Sequence, residues 1–475
     1  MTRPASPALA LLAGLLLAGC ASLPADRGRG ELAARLPAGT ALPDPAQAAP
    51  LPELPTGPLG PDDAVALALA ASPAVRAILA GLGQAAADRF ESGRIHNPRL
   101  SLGRLGEERH AGLDVVLSDL LSLPARSRIG AERWQADLAQ SAHALQAYAG
   151  QVRAAWYRLV AAGQIAGLRA AVADAAGARV ELARRFHAAG NISALQLARE
   201  EAAATLARTD AARARSERLA ARMALAELTG LAGRSNAWRT PERLPLPAGE
   251  PPAVAALLAG TAEHRQDLAA ARAALAAGER GRRLARRLAW LGEIELGVER
   301  EREGDERRSG ASIALELPLF HQGQARRARA DADLAAADAQ VDALQLAVQR
   351  QVRTAAERVA TRRGIVETYR DALLPQRKAI VEREQERYDF MLIGAFDLIA
   401  ARQQEYDAWQ AWLEAIRDYW LAVVELELAA GRPLPQLHAG TDSAGSADVL
   451  APPDAGGGHD HDHDHHHHHL HGDTP

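Results

Sequence analysis

The chain has 475 residues, enough for two or three ordinary domains, but only 4% of them are aromatic. Compact cores depend on aromatic side chains, whereas long helices that pack along a seam can use alanine and leucine, so the composition favours extended helices. The formal net charge of −4 is small and implies no surface built to bind polyanions, and the single cysteine excludes an intramolecular disulfide.

Residues 1–19 have the organisation of a signal peptide, with Arg3 followed by a short apolar stretch. The closing residues Leu17-Ala18-Gly19-Cys20 resemble a bacterial lipobox, in which the cysteine is lipidated and becomes the new N-terminus. The residue after the cysteine is Ala21 and not aspartate, which by resemblance to the sorting rules of bacterial lipoproteins indicates the outer membrane. An ordinary signal peptide with a chance cysteine is the alternative. No later segment has 18 uninterrupted apolar residues, so we expect no transmembrane helix.

Segments rich in proline and glycine divide the rest of the chain. Residues 20–61 are predicted to form an extended leash behind the lipid anchor. Residues 231–252 form a linker, and residues 431–475 form an irregular tail rich in histidine and aspartate. The segments between them, 62–230 and 253–430, repeat each other. Each is predicted to contain a helix, two strands, a very long helix, a tight turn and another long helix.

Alternation of apolar and polar residues predicts the strands. The alternating positions are Leu100–Leu105 and Leu113–Leu121 in the first half, and Ile294, Leu296, Val298, Ile313, Leu315, Leu317 and Leu319 in the second. Charged links, Glu107–His110 and Glu303–Arg308, join the strands of each pair. Solvent-exposed hairpins are one interpretation. In the other, four strands cannot close a membrane barrel but three copies supply twelve, which predicts a homotrimer.

Four glutamates lie on the other side of this alternation. They either line a barrel interior, where they would favour cations, or form an ordinary solvated face. They are Glu293, Glu295, Glu299 and Glu316.

The helix predictions depend on two long stretches. Residues 126–188 contain no proline, and a helix of 63 residues is about 95 Å long. Residues 324–391 contain only Pro375, which should kink the helix locally. A seam of apolar residues with heptad spacing follows Val341, Val352, Val366 and their neighbours, and it continues after the turn. Helices of this length suit a tunnel across the periplasm better than a globular domain.

Two turns between long helices match each other at an offset of 201 residues, Ile192 with Ile393. The first contains Gly190, Asn191, Ile192 and Ser193, and its glycine favours the left-handed backbone that a helix reversal needs. The second contains Leu392, Ile393 and Gly394, followed by Asp397. Gly394 lies three places later than the equivalent of Gly190, which is a departure from the first turn.

The duplicated halves, the two turns and the lipobox together resemble the TolC-like outer-membrane efflux factor family over about residues 62–432. Residues 400–405 and 417–422 are most similar to its heavy-metal (CusC/CzcC-like) branch. The resemblance implies a mainly α protein with a small β-barrel portion. It also implies a trimer whose 12-stranded outer-membrane β-barrel continues as a 12-helix periplasmic α-barrel.

The same resemblance implies a function and partners. The protein would be the exit duct of a tripartite efflux system, passively conducting heavy-metal cations to the exterior from a resistance-nodulation-division pump and a periplasmic adaptor. The residues named in the two turns would form the periplasmic tip where the adaptor docks. Asp397 would line the periplasmic aperture, or, as the alternative, cap the first turn of its helix. A multidrug or type I secretion duct is the second possible cargo class.

The tail carries a different chemical signal. Imidazoles interleaved with Asp460, Asp462 and Asp464 suit labile binding of divalent zinc, nickel, cobalt or copper. A purification tag and a pH-sensitive tail are the alternatives. The histidines are His459, His461, His463, His465, His466, His467, His468, His469 and His471.

No motif for catalysis or for a cofactor occurs, so neither an enzyme nor a resident cofactor is expected. The competing hypothesis of another class is a lipid-anchored periplasmic coiled coil that sequesters metal through this tail and conducts nothing.

Overall fold

The computed structural model describes residues 22–438, apart from 38–39, 41, 47–53, 107, 289–291, 293, 318 and 321. The signal peptide, the predicted lipidation site Cys20 and the histidines of the tail therefore lie outside the described residues, as does Glu293. The chain is 71% helical with one small antiparallel sheet, so the prediction of a mainly α protein is confirmed.

The same order of elements occurs twice along the chain. The first set is α1 (Arg29–Ala33), α2 (Pro61–Ala71), α3 (Pro73–Ser92), β1 (Arg99–Leu105), β2 (Glu108–Val116), α4 (Leu117–Ala188) and α5 (Ala194–Leu228). The second set is α6 (Val254–His264), α7 (Gln266–Arg287), β3 (Ile294–Glu303), β4 (Glu306–Leu315), α8 (Gln324–Thr368), α9 (Leu374–Asp389) and α10 (Ala395–Ala430). Apart from α1, each element of the first set has its counterpart in the second, with α8 and α9 together corresponding to α4.

Two helices, not the predicted one, precede each strand pair. In the first half Ser72 lies between them with an extended backbone, because the residue before a proline avoids the helical region. Its hydroxyl accepts a hydrogen bond from the Ala74 amide at 3.2 Å and so caps α3. In the second half Arg265 takes the same place, and its guanidinium donates to Asp267 at 2.6 Å.

The second strand of the first hairpin begins and ends earlier than predicted, whereas the first strand, Arg99–Leu105, ends where predicted. The second strand covers Glu108–Val116 instead of Leu113–Leu121, and residues 117–121 are the first turn of α4. Leu117, Leu120 and Leu121 have helical i, i+3, i+4 spacing as well as a strand-like alternation, so the sequence pattern is ambiguous there.

The predicted charged links are also too long. Glu108–His110, Glu303 and Glu306–Arg308 belong to the strands, and Leu317 and Leu319 lie beyond β4. Glycines with positive φ, Gly106 at 62° and Gly304 at 58°, lie in the links of the two hairpins and permit tight reversals there.

The long helices exceed the predicted length. Helix α4 has 72 residues and continues through Pro124, so at 1.5 Å per residue it is about 108 Å long. The irregularity predicted at Pro375 takes the form of a π-helical turn, Tyr369–Leu373, between α8 and α9. A proline lacks an amide hydrogen and its ring crowds the carbonyl four residues earlier, and a π-turn relieves both conflicts.

The predicted apolar seam is buried where α8 and α10 pack together. Val348, Val352 and Val359 are buried on α8, and Ile416 and Val423 are buried on α10. Helix α4 packs against α5, α7 and α10, so the two halves share one continuous core. Helix α4 contains a stretch that is long and apolar enough to span a membrane, which differs from the expectation of no transmembrane helix. A core helix can have the same length and apolar composition, and α4 belongs to the shared core.

Aromatic residues join the helices to the segments that surround them near mid-length. The Trp156 indole donates to the Leu59 carbonyl at 2.7 Å, and the Trp420 indole donates to the Pro245 carbonyl at 2.7 Å. The Tyr157 ring stacks on Trp420 with 5.0 Å between ring centroids. These contacts hold Leu59, which lies just before the first half, against α4, and Pro245, in the linker between the halves, against α10.

The segment predicted as an extended leash contains a helix, α1. Leu32 on this helix is fully buried in a cluster with Trp134 and Leu138 of α4. The Trp134 indole also donates to the Glu31 carboxylate at 2.9 Å. Burial of Leu32 and this hydrogen bond attach the segment to α4, so part of the leash is folded onto the body of the protein.

The buried carboxylate of Glu427 lies near the C-terminal end of α10 and binds the residues that follow this helix. Glu427 is 6% exposed, and its Oε1 accepts hydrogen bonds from the Leu434 amide at 2.8 Å and from the His438 ring at 3.0 Å. Its Oε2 lies 3.5 Å from Nη1 of Arg153 on α4. This group links α4, α10 and the residues that follow α10.

Replacing Glu427 with alanine is expected to lower the free energy of unfolding by about 2–3 kcal/mol, because the Leu434 amide and Arg153 lose a buried partner. Denaturant unfolding measures the change. Glu425 is the matched control, since its ion pair with Arg358 at 2.6 Å is half exposed. Glu425→Ala should change the free energy of unfolding by less than about 1 kcal/mol. Equal effects of the two substitutions would contradict a structural role for the buried carboxylate.

Candidate channel-forming surfaces

The sheet presents two chemically different faces. Its order is β1-β2-β3-β4 with antiparallel pairing throughout, so residues opposite each other in the register share a face. Large apolar side chains lie together on one face, with 39–75% of each exposed. We call this the apolar face; it comprises Leu100, Leu102, Leu113, Val115, Leu296, Val298, Ile313 and Leu315.

The opposite, polar face carries charged and small residues. Glu299 lies across from Gly112 and Gly310, and Glu295 lies across from Val116 and Ala314. The prediction that these two glutamates lie opposite the apolar positions is therefore confirmed. Small residues line the same face and leave room for the longer charged side chains.

Both edges of the sheet are open. Strands β1 and β4 each pair with a single neighbour in the part of the chain that the structure describes. An open edge leaves a row of backbone amide and carbonyl groups available to another strand. Because β1 and β4 are the first and last strands, a second copy can continue the sheet by placing its β1 beside β4.

The junction between the sheet and α4 is held by Asp119. Its Oδ2 accepts hydrogen bonds from the His96 amide at 2.9 Å and from His96 Nδ1 at 2.6 Å, and Oδ1 lies 3.0 Å from Arg126 Nη2. Burial alone would raise the pKa of Asp119, but the His96 hydrogen bonds and the Arg126 charge outweigh it and leave the pKa below its ordinary value. The carboxylate therefore stays charged and connects the segment before β1 to the first turns of α4.

The two predicted turns lie at the ends of the long helices that are remote from the sheet, and they have the same backbone geometry. In the first, the Asn191 amide donates to the Phe186 carbonyl at 2.8 Å and the Gly190 amide donates to the His187 carbonyl at 2.9 Å. This pair of bonds is a Schellman motif, with Gly190 in the left-handed region at φ 76°.

Met391 occupies the place of Gly190 in the second turn. The Leu392 amide donates to the Arg387 carbonyl and the Met391 amide donates to the Tyr388 carbonyl, both at 2.8 Å. Met391 has φ 58°, a conformation that side chains other than glycine rarely adopt. The sequence predicted that the second turn departs from the first, because Gly394 lies three places later than the equivalent of Gly190. The difference is a methionine in place of glycine at the left-handed position, and the turn itself is the same. The offset of 201 aligns Met391 with Gly190, so the sequence did contain this signal.

Gly394 corresponds to Ser193, and both are N-caps of the following helix. The Ser193 hydroxyl accepts from the Gln196 amide at 3.2 Å, whereas in the second turn the Asp397 carboxylate accepts from the Gly394 amide at 3.2 Å. Each turn thus uses one of the two hydrogen bonds of a capping box. Asp397 makes the contact expected of a helix-capping residue, and its side chain remains exposed.

The second turn exposes more apolar surface than the first. Phe390, Met391 and Leu392 are 77%, 92% and 69% exposed. In the first turn Ile192 is only partly exposed, and Phe186 is 37% exposed. Contiguous exposed apolar residues at the end of a helical hairpin are typical of a contact surface for another protein.

Within the described residues, no group of three or more histidine, cysteine or acidic side chains is arranged to hold a metal ion. The predicted metal-binding histidines belong to residues 459–471, outside the described part.

No protein-family model matches the sequence, and no curated protein matches it. Solved structures do match. A membrane protein from Pseudomonas aeruginosa superimposes with a TM-score of 0.67 at 19% identity, covering 81% of this chain and 100% of that one. The CmeC outer-membrane channel of Campylobacter jejuni gives 0.66 at 16% identity, covering 78% and 85%. CusC, described as forming a transmembrane channel, gives 0.62 at 16% identity, covering 82% and 98%. The chain therefore has the fold of these outer-membrane channels.

The left-handed positions of the two turns should respond oppositely to substitution. Met391→Gly is expected to raise the free energy of unfolding by up to about 1 kcal/mol, because glycine adopts this conformation without a steric penalty. Gly190→Ala should lower it by about 1 kcal/mol for the same reason. Chemical unfolding followed by circular dichroism measures both. A lower stability for Met391→Gly would show that the methionine side chain makes stabilising contacts that outweigh its backbone strain.

Proposed function

We propose that this chain is one protomer of a trimeric outer-membrane channel of the TolC-like type, the exit duct of a tripartite efflux system. The observation that carries the proposal is the sheet: an exposed apolar face, a polar opposite face and two open edges, at one end of helices about 100 Å long. A fold shared with outer-membrane channels supports the same function.

The dimensions of the sheet suit a membrane-spanning barrel. Strands β3 and β4 have 10 residues each, about 34 Å, and a tilt near 40° reduces their height to about 25 Å, the height of the apolar band of outer-membrane barrels. Three copies joined edge to edge supply twelve strands and leave no open edge. The apolar face then contacts lipid, and the polar face with Glu295 and Glu299 lines the lumen.

The helices supply a second reason for a trimer. Helix α5 exposes Leu195, Leu206 and Leu219, and α8 exposes Leu346. Single exposed leucines are common on soluble proteins, but here they lie along the helices that a neighbouring protomer would cover. Twelve long helices, four from each of three copies, would form the wall of a tunnel that continues the barrel across the periplasm.

Transport through such a duct is passive. The polar lumen lets hydrated cargo move down the gradient that an inner-membrane pump of the resistance-nodulation-division class creates, and a periplasmic adaptor connects the two. We assign adaptor docking to the two turns, with Gly190, Asn191, Ile192 and Ser193 in one and Leu392, Ile393 and Gly394 in the other. Asp397 at the start of α10 is proposed to line the aperture, which opens when the helix pairs separate at these turns.

The N-terminal segment is compatible with a lipid anchor at Cys20. Leu32 contacts Trp134, which lies 17 residues, about 26 Å, along α4 from the end of β2. This contact holds the N-terminal segment, in which Cys20 lies 12 residues before Leu32, against the part of α4 that is nearer to the sheet.

The proposed cargo is heavy-metal cations. Its support is the resemblance of residues 400–405 and 417–422 to the heavy-metal branch, the glutamates of the polar face and the histidine tail. Organic compounds or a secreted polypeptide are the other cargo classes that the same duct would carry. A periplasmic metal-sequestering coiled coil is the hypothesis of another class, and the exposed apolar sheet counts against it.

The channel hypothesis predicts opposite tolerance of a charge on the two faces of the sheet. Leu296 lies at the middle of the apolar face, in register with Val115 and Ile313, and is 42% exposed, so Leu296→Arg should cost about 2–4 kcal/mol per protomer in the bilayer and prevent insertion. Ser312, on the polar face of the neighbouring strand, is the matched control, and Ser312→Arg should still insert.

Detergent-resistant trimers and conductance in planar bilayers are the measurements for both variants and for the unmodified chain. A monomeric unmodified chain that forms no pores would refute the channel and favour the sequestering protein.

Deleting residues 459–475 tests the metal proposal separately. The deletion should leave trimer assembly and conductance unchanged, lower the number of zinc or copper ions bound per chain, and reduce metal tolerance of cells that depend on this protein. Replacing only the nine histidines by glutamine is the matched variant, since it keeps the length of the tail. Unchanged metal binding in both variants would contradict a metal role for the tail.

A further inference from the structure

Four arginines form a continuous row across the sheet near its hairpin end. Arg104 lies across from Arg109, Arg109 from Arg302, and Arg302 from Arg307, one on each strand. They alternate in step with Leu102 and Val298 along their strands, so the row lies on the apolar face. All four are exposed.

Such a row is unfavourable unless an anion is present. Like charges directly opposite each other on a sheet repel, and here three successive pairs do so. The carboxylates nearest along the strands are one residue away and therefore lie on the polar face; they are Glu108, Glu301, Glu303 and Glu306. The apolar face thus carries an excess of positive charge at its hairpin end. Arg300, two residues before Arg302 on β3, adds a further cation on the same face.

The internal contacts of the row leave most of its hydrogen-bond donors available. Arg104 Nε donates to the Gly106 carbonyl at 3.1 Å, and Arg302 Nε donates to the Gly304 carbonyl at 3.0 Å. Arg302 also lies 3.8 Å from the fully exposed Asp305. The guanidinium groups of Arg109 and Arg307 form no hydrogen bond or ion pair with any residue that the structure describes. These contacts orient two guanidinium groups without neutralising the row.

The position of the row matches a lipid headgroup layer. From Leu296 at the middle of the apolar face to Arg302 there are six residues, about 20 Å along the strand and about 16 Å along the membrane normal at a tilt near 40°. The row therefore borders the hydrocarbon band on the side of the hairpins, remote from the long helices. Three interstrand spacings give it a length of about 14 Å, comparable to a disaccharide headgroup.

We propose that this row binds the phosphate groups of a phosphorylated disaccharide lipid, lipid A, in the outer leaflet. Guanidinium groups bind phosphate through two parallel hydrogen bonds, so Arg109 and Arg307 are the primary ligands, and Arg104 and Arg302 complete the row. The inference rests on the proposed membrane orientation of the sheet. In the trimer it becomes a belt of twelve arginines that ties the barrel to the charged lipid surface.

The test uses the full trimer in phosphatidylcholine nanodiscs that contain lipid A, and measures lipid A bound per trimer at increasing concentration. Arg109→Gln with Arg307→Gln should weaken binding about tenfold or more, because two charge-assisted contacts per protomer are lost. The matched control is Arg99→Gln with Arg308→Gln, which removes two exposed arginines from the polar face and should change binding less than about twofold.

Two further measurements separate the possible failures. The unmodified trimer should bind dephosphorylated lipid A about tenfold more weakly, and raised salt should weaken its binding of intact lipid A. Equal binding of the two lipids, or equal losses in both double variants, would overturn the proposal. Conductance of each variant is recorded in the same preparations. A channel that conducts normally but binds phosphorylated and dephosphorylated lipid A equally would refute the lipid A site and leave the channel hypothesis intact. Loss of conductance in the unmodified chain would instead refute the channel.

Discussion

A four-stranded sheet with an exposed apolar face and two unpaired edges is not a stable arrangement in water or in lipid. In water the apolar face remains exposed, and in lipid each unpaired backbone group at the edges loses a hydrogen bond worth several kcal/mol. Joining copies edge to edge satisfies both requirements, because closure removes the edges and turns every apolar face toward lipid. The proposed trimer and the proposed membrane position of the sheet both depend on this constraint.

The helices then have to hold four short strands from each chain in one register. Asp119 does this at the junction with the sheet, where hydrogen bonds from His96 and the nearby Arg126 fix the first turns of α4 relative to β1. Farther along, Trp156, Tyr157 and Trp420 bind the surrounding segments to the helices, and Glu427 joins α4 to the end of α10. Large aromatic residues are few in this chain, and they are concentrated where the helices need lateral support.

The two halves of the repeat differ in the chemistry of their turns. The backbone is the same, yet Gly190 is replaced by Met391, and the second turn exposes three consecutive apolar side chains. Holding a methionine in the left-handed region costs about 1–2 kcal/mol, which a folded chain tolerates when the side chain serves another purpose. Contact with a partner protein is consistent with that, and the proposed trimer would then have two kinds of docking position.

The sequence alone determined the class of architecture. Heptad spacing along Val341–Val366, alternation along Ile294–Val298 and the offset of 201 between the turns are local periodic signals, and local periodicity reflects which face of an element is buried. These signals located the long helices, the hairpins and the turns, but not their ends, and they did not separate the two helices that precede each hairpin. At Leu117–Leu121 the apolar spacing suits a strand and a helix equally, so the pattern does not fix where β2 ends.

Cross-strand and long-range relations were decided by the tertiary structure. The register that aligns Arg104, Arg109, Arg302 and Arg307 joins residues almost 200 positions apart, and no local pattern contains it. The burial of Leu32 against Trp134 likewise follows from contacts that form only in the folded chain. Periodicity specifies faces, whereas register and docked segments arise from distant groups that meet only when the chain is folded.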